Sequence, residues 1–323
     1  MADSLSRSWS NPAHPPDVSV IIPVKGHPEE LVRLLKNLHA QRTEKPYEVI
    51  VVDAWSDDAI KTAAETQGAV VVRRGNRNLP GEARNIGASA ARGQFLAFID
   101  ADCQPDTGWL QAATNALDGG ARLAAGPVTD LHPWHPVARA DNLLQFADLP
   151  RSRPAGTMHM APSCNLAIRK EDFDALGGFR HRDGLSTGED VDFCERATAI
   201  WPNGIRFVPQ MAVRHTGRRT IADMLRHHRT FGYSRGRLRL LLTERQASLG
   251  QMRLLAPAVV LRRLLYITGR VARLSPAKLP MTIAISPLLI IGAFAWTAGF
   301  RRGLIDSAPS GARSTASPEH TLE

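Results

Sequence analysis

Gln94-Phe95-Leu96-Ala97-Phe98-Ile99-Asp100-Ala101-Asp102 is a short apolar run that ends abruptly in two carboxylates. A run of this length without polar alternation reads as a strand covered on both faces, as in a parallel sheet. Val18-Ser19-Val20-Ile21-Ile22-Pro23-Val24 and Glu48-Val49-Ile50-Val51-Val52-Asp53 have the same character, and Ala69 to Val72 adds a shorter strand. Between them the period changes. Leu31, Leu34, Leu35 and Leu38 fall on one helical face, with Glu29 and Glu30 in its first turn. Ile60 to Thr66 is a short helix, and Gly81 to Ala91 is a helix of small residues that can pack closely. This β-α-β-α-β-α-β series predicts a doubly wound, mostly parallel α/β sheet with helices on both faces. Ligands of such sheets bind beyond the carboxyl ends of the strands, where Asp53 and Asp100 fall.

The chain has 323 residues and a formal net charge of +9. The excess lies late, from Arg214 to Arg273 and at Arg301 and Arg302, which favours a membrane or phosphate face and argues against nucleic acid as a partner. Cys103, Cys164 and Cys194 have no metal or disulfide spacing and read as small buried apolar residues. Residues 1–16 are polar and rich in Pro and Ser; they read as a disordered lead-in, not a secretory signal. The catalytic domain is expected over 17–220. Within it, Pro127 to Pro162 is an irregular functional loop with a helical piece near Ala138 to Ala147. Strands at Ser163 to Arg169 and Ile205 to Val208 flank a helix over Glu189 to Ile200.

Residues 221–303 change character. Ile221 to Arg239 is a basic helix, and Leu254 to Leu274 mixes apolar residues with arginines like a helix lying on a membrane. Leu279 to Phe300 is free of charge and flanked by Lys278 and Arg301; it is long enough to cross a hydrocarbon core of about 30 Å. A buried core helix and, because of Pro287, a re-entrant hairpin are the alternatives. Basic segments before Leu279 place the catalytic domain on the cytoplasmic face of the membrane. Residues 304–323 read as a disordered tail.

The chemistry-bearing residues cluster at element ends. Asp100 and Asp102 can offer oxygen ligands to a hard divalent cation that bridges diphosphate oxygens. Gly188-Glu189-Asp190 opens a helix; its acids either cap the N-terminus or include a general base for a hydroxyl nucleophile. His215 is either structural or a neutral imidazole that completes a metal site with Asp102. Arg84 and Asn85 either contact phosphate or sugar hydroxyls or are ordinary surface groups. Arg229, Tyr233 and Arg235 can meet a diphosphate, an acceptor or lipid headgroups.

Taken in order, Val18–Val24, Val51-Val52-Asp53 with Ser56 and Asp58, Gly81-Glu82-Ala83-Arg84-Asn85-Ile86-Gly87, Phe98-Ile99-Asp100-Ala101-Asp102, Cys164-Asn165, Leu176-Gly177-Gly178-Phe179 and Gly188-Glu189-Asp190 resemble family 2 glycosyltransferases with a GT-A fold. The resemblance implies an inverting transfer from a UDP-, GDP- or dTDP-activated sugar, with Mn²⁺ or Mg²⁺, to a glycan or lipid-linked acceptor. It implies that Asp53 meets the base or ribose, with Pro23, Arg84, Asn85 and Ala101 also lining the nucleotide-sugar site. Asp100 would lie near ribose and sugar, Asp102 and His215 at the metal, Asp190 as base and Glu189 ordering hydroxyls. The chain departs from the family at Asp53-Ala54-Trp55-Ser56, where relatives often carry a second acid and a glycine; Trp55 can stack on or reshape that wall. A catalytically silent nucleotide-sugar binder and a nucleotidyltransferase are the rival readings.

Overall fold

A computed structural model describes residues 15–54, 58–73, 79–180, 187–243 and 256–306. The expectations for Trp55, Ser56, most of the lead-in and the tail beyond 306 lie outside these residues. Strands β1 (Val18–Val24), β2 (Tyr47–Asp53), β3 (Val70–Arg73) and β4 (Phe95–Ile99) run parallel in the spatial order β3-β2-β1-β4. Helices α1 (Pro28–His39), α2 (Asp58–Thr66) and α3 (Pro80–Ala90) are the crossovers. The continuous apolar runs have the expected cause: every residue of β2 and β4 is buried.

Beyond β4 the strands shorten to two or three residues and alternate with helices of 10 and 11 residues. They are β5 (Cys103–Pro105), α4 (Trp109–Asp118), β6 (Leu123–Ala125), β7 (Val128–Asp130), α5 (Pro136–Phe146) and β8 (Gly156–Thr157). Then follow β9 (Asn165–Arg169), α6 (Lys170–Ala175), α7 (Glu189–Ile200), β10 (Ile205–Phe207) and β11 (Val213–His215). The large sheet continues past β4 as β9-β6-β10-β8, with β9 antiparallel to both neighbours. A second sheet has the order β5-β11-β7. Asn165 ties the two sheets together. Its amide nitrogen donates to the carbonyls of Pro127 and Met211, and its oxygen accepts from the Trp109 indole at 2.8 Å.

The C-terminal region forms α8 (Ile221–Thr243), α9 (Ala256–Leu274), α10 (Leu279–Ala284) and α11 (Ser286–Asp306). The charge-free run from Leu279 to Phe300 is therefore not one helix. It breaks at Ile285, because the Pro287 ring would clash with the Ile283 carbonyl in a continuous helix, whereas in the first turn of α11 its missing N–H costs nothing. Among the described residues α11 alone is long and apolar enough to cross a bilayer, and 44% of that stretch is buried against the rest of the protein.

What α11 packs on is α8, along glycines spaced four apart on both helices. A Cβ on Gly232 would stand 1.9 Å from the Trp296 carbonyl oxygen, and one on Gly299 1.9 Å from that of Arg229. At Gly236 and Gly303 the distances to Phe300 and Tyr233 oxygens are 2.2 and 2.1 Å. Backbone touches backbone, as small residues at such spacing permit. Replacing Gly232 with Ala should therefore force the helices apart and lower stability by about 1–3 kcal/mol in urea unfolding. An unchanged midpoint would show that the contact is looser than described.

Candidate active site

Asp100, Ala101 and Asp102 make the turn by which the chain leaves the large sheet at β4 and enters the small one at β5. β5 pairs antiparallel with β11, so Cys103 lies opposite His215. The Asp102 carbonyl accepts from both the N–H and the hydroxyl of Thr216, each at 3.0 Å. This pairing brings His215 Nε2 to 3.4 Å from Asp102 Oδ2. His215 Nδ1 lies 2.7 Å from Asn142 Oδ1. Because Asn142 donates its amide to Asp130 Oδ1 and to the His215 carbonyl, its oxygen is left to accept the Nδ1 proton. The Gly217 N–H also approaches Nδ1, at 3.2 Å, but the amide oxygen is closer and has no proton to offer.

The Nε2 lone pair of neutral His215 thus points at a carboxylate, a pair that favours a cation between them. Burial opposes charge on Asp102, but His215 and then Arg218 outweigh it and hold the carboxyl well below its ordinary range. Burial also opposes charge on His215, and Asp102 outweighs it, raising the imidazole. A carboxylate oxygen and an imidazole oriented by an amide fit a divalent cation. No three His, Cys, Asp or Glu side chains converge among the described residues, so such an ion would keep positions for other oxygens.

The second acidic group is assembled by Arg84 of α3. Its Nη2 donates to Asp100 Oδ1 at 2.5 Å and its Nη1 to Glu189 Oε1 at 2.8 Å. Gly188 turns the chain with a φ of 101° and leads into α7, which places Glu189 and Asp190 in its first turn. Burial raises the Glu189 carboxyl, with Arg84 opposing and Asp190 adding to the effect. Asp190 Oδ1 lies 4.0 Å from Arg235 of α8. Asp102, His215, Glu189 and Asp190 all line one cleft of about 1150 Å³. Its far wall comes from the C-terminal helices, with Arg263 and Tyr266 of α9 and Trp296 of α11.

Residues 19–177 match the model of glycosyl transferase family 2. The chain belongs to this family. It is 30% identical over 240 residues to a pre-mycofactocin glycosyltransferase of Mycobacterium tuberculosis, a match covering 71% of this chain and 48% of that one. It is 30% identical over 190 residues to glycosyltransferase AglE of Haloferax volcanii, covering 57% of this chain and 62% of that one. The chain thus spans less than two thirds of the length of these curated relatives. Its fold resembles a mannosyltransferase, PcManGT, from Pyrobaculum calidifontis, with a TM-score of 0.56, 19% identity and coverage of 93% and 90% of the two chains.

In this family 2 glycosyltransferase, the cleft collects Arg84, Asp100, Asp102, Glu189, Asp190, His215 and Arg235 from the sequence expectations. Others lie elsewhere. Asp53 is fully buried at the end of β2, where Arg73 Nε donates to its Oδ2 at 3.0 Å. Pro23 is half-buried on the adjoining strand, and Ala101 packs partly against the core. Both Asn85 amide groups brace Phe179, through Nδ2 to its carbonyl and Oδ1 from its N–H, so Asn85 positions a loop and does not line the cleft. Arg84 is buried between carboxylates and is not a surface group. Arg229 and Tyr233 leave the cleft to Arg235. Helical spacing puts His228, Phe231, Arg235 and Leu238 on the cleft face of α8, and the other two beside α11.

Sequence reasoning missed Asn142, Arg218, His227 and the α9 wall. Arg218 Nη1 reaches Asp102 Oδ2 at 3.4 Å. His227 is lowered to about 3, first by burial and then by Arg218. An unfolded chain would protonate it near 6.5, so between those values the unfolded state binds more protons. The fold should therefore lose stability as pH falls below 6.5, and His227→Gln should flatten that acid limb of a Tm-versus-pH curve. At the metal pair, Asn142→Ala should weaken Mn²⁺ binding by roughly tenfold or more in calorimetry. Equal affinity would mean that His215 is not oriented by this amide.

Proposed function

We propose that this family 2 glycosyltransferase moves a sugar from a nucleotide diphosphate sugar to an acceptor hydroxyl with inversion of configuration. The observation that carries the reading is the meeting, in one cleft, of the Asp102–His215 pair with the Glu189–Asp190 pair. The Pyrobaculum fold neighbour holds GDP-Man and Mn²⁺, which makes GDP sugars and Mn²⁺ the first donor and ion to try. Asp102 and His215 would hold the divalent cation, which when bound offsets the negative charge of a leaving diphosphate. Asp190 is the group placed to take the proton from the acceptor hydroxyl as its oxygen attacks the anomeric carbon opposite the leaving nucleotide. Glu189, fixed by Arg84, orders sugar hydroxyls from the neighbouring position. Asp53 and Pro23, at the carboxyl edge of the same sheet, would meet the nucleotide.

The acceptor would be presented at the cytoplasmic face of a membrane. Leu261, Leu265, Ile283 and Phe294 are each more than half exposed, and the same region of the chain carries Arg262 on α9, Lys278 just before α10 and Arg301 on α11. This pattern fits helices lying in an anionic interface. It fits a spanning α11 poorly, because α8 packs along it and would carry Arg229, Arg235 and Arg237 into hydrocarbon.

A purified full-length chain, given nucleotide sugars with Mn²⁺ or Mg²⁺, should release nucleotide. Asp190→Asn should lower that turnover by roughly 10²–10⁴-fold while nucleotide binding persists in calorimetry. Undiminished turnover would remove Asp190 as the base.

A further inference from the structure

The cleft does not end at Asp190. Past it, Arg235 of α8 and Arg263 of α9 enter the same cavity. Arg263 donates from Nη2 to the Leu144 carbonyl at 2.6 Å and lies 4.5 Å from the centroid of the Trp296 ring. Its Nε is buried without a hydrogen-bond partner. No carboxylate among the described residues lies within ion-pair distance of it, and the carboxylate nearest Arg235 is Asp190 at the outer limit of 4.0 Å. Burial, and next the charge of Arg235, push Arg263 down to about 10.

Its neighbours on α9 are different. Arg270 is paired with Asp148, and the Tyr266 hydroxyl donates to the same carboxylate. The protein therefore neutralises Arg270, gives Arg235 only the 4.0 Å contact with Asp190, and, among the described residues, leaves Arg263 beside it without a carboxylate, an arrangement that an incoming anion relieves. That anion is not the donor diphosphate if the metal pair holds the diphosphate, because Arg218 already stands there, 3.4 Å from Asp102. The surroundings of Arg263 are also apolar. Ile267, Leu238 and Phe300 line the cavity, and α9 turns Leu261 and Leu265 outward at 57% and 64% exposure.

We infer that Arg235 and Arg263, with Trp296, form an acceptor subsite for the phosphate of a lipid-linked acceptor, whose hydrocarbon lies along the apolar wall beyond. The inference rests on the glycosyl-transfer reading for the word acceptor, but its chemistry is tested by binding alone.

The test is titration of the full-length chain in neutral detergent with farnesyl phosphate, farnesol and inorganic phosphate, read by calorimetry. Farnesyl phosphate should bind more tightly than either farnesol or inorganic phosphate. Arg263→Gln and Arg235→Gln should each weaken it by roughly tenfold or more while farnesol binding holds. Should Arg263→Gln fail to fold by its melting curve, Arg235→Gln decides the matter alone. Equal binding of phosphate and alcohol, or equal losses for both in the variants, would overturn the anion site. Inorganic phosphate binding as well as farnesyl phosphate would overturn the lipid assignment. A parallel titration with GDP and Mn²⁺ closes the remaining route: a matching loss there would return both arginines to the donor. None of these readouts measures sugar transfer, so failure here and failure of the Asp190 assay are distinct results.

Discussion

Arg84 has two carboxylates to hold and almost no water around it. Asp100, Glu189 and Asp190 come from a turn after β4 and from the start of α7, and they repel one another. The guanidinium reaches Asp100 and Glu189 with separate nitrogens, which lets α3, the turn and α7 meet at one point. Buried ion pairs are costly to desolvate, so such a triad stabilises little by itself; its effect is to fix geometry, and breaking it would leave uncompensated charge. The Asp100 turn is held from its other end by the two hydrogen bonds from Thr216 to the Asp102 carbonyl. Both acid groups thus face the cleft because short backbone and side-chain ties clamp the same three residues.

The first half of the fold was legible because its strands are buried on both faces and each helix between them shows one apolar stripe. Asp53 and Asp100 could be placed at strand ends from those runs alone. The pairing of His215 with Asp102 was open in the sequence, since it depends on a three-residue ladder between β5 and β11. Asn142 left no trace: it is a buried polar residue on a helix within a Pro-, His- and Arg-rich stretch, and its partner His215 is 73 positions away. Arg84 was read into the right neighbourhood, but its ion pairs with Asp100 and Glu189 were not foreseen. Its partner Glu189 lies 105 positions on, and spacing carries no information about which charges meet.

The C-terminal helices show the same limit differently. Periodicity gave α9 an apolar and a basic character, and an interface was the natural reading. Which side meets the protein is set by azimuth against α5, α8 and α11, which one helix's pattern does not contain. One side of α9 carries exposed leucines and another closes the cleft with Arg263 and Tyr266. The charge-free run after it hid a break because proline's effect depends on whether it falls inside a helix or in its first turn.

A second apolar cluster joins Ala140 and Leu144 of α5, Met224 of α8, Val260 and Ile267 of α9, and Leu289 and Ala293 of α11. These helices are therefore not baggage hung on a finished enzyme. Stripping them would leave α5 with a bare greasy flank, and α5 is the helix that carries Asn142, which orients the imidazole. The C-terminal helices and the helix that orients the imidazole then share one buried core, so loosening either exposes the other to water.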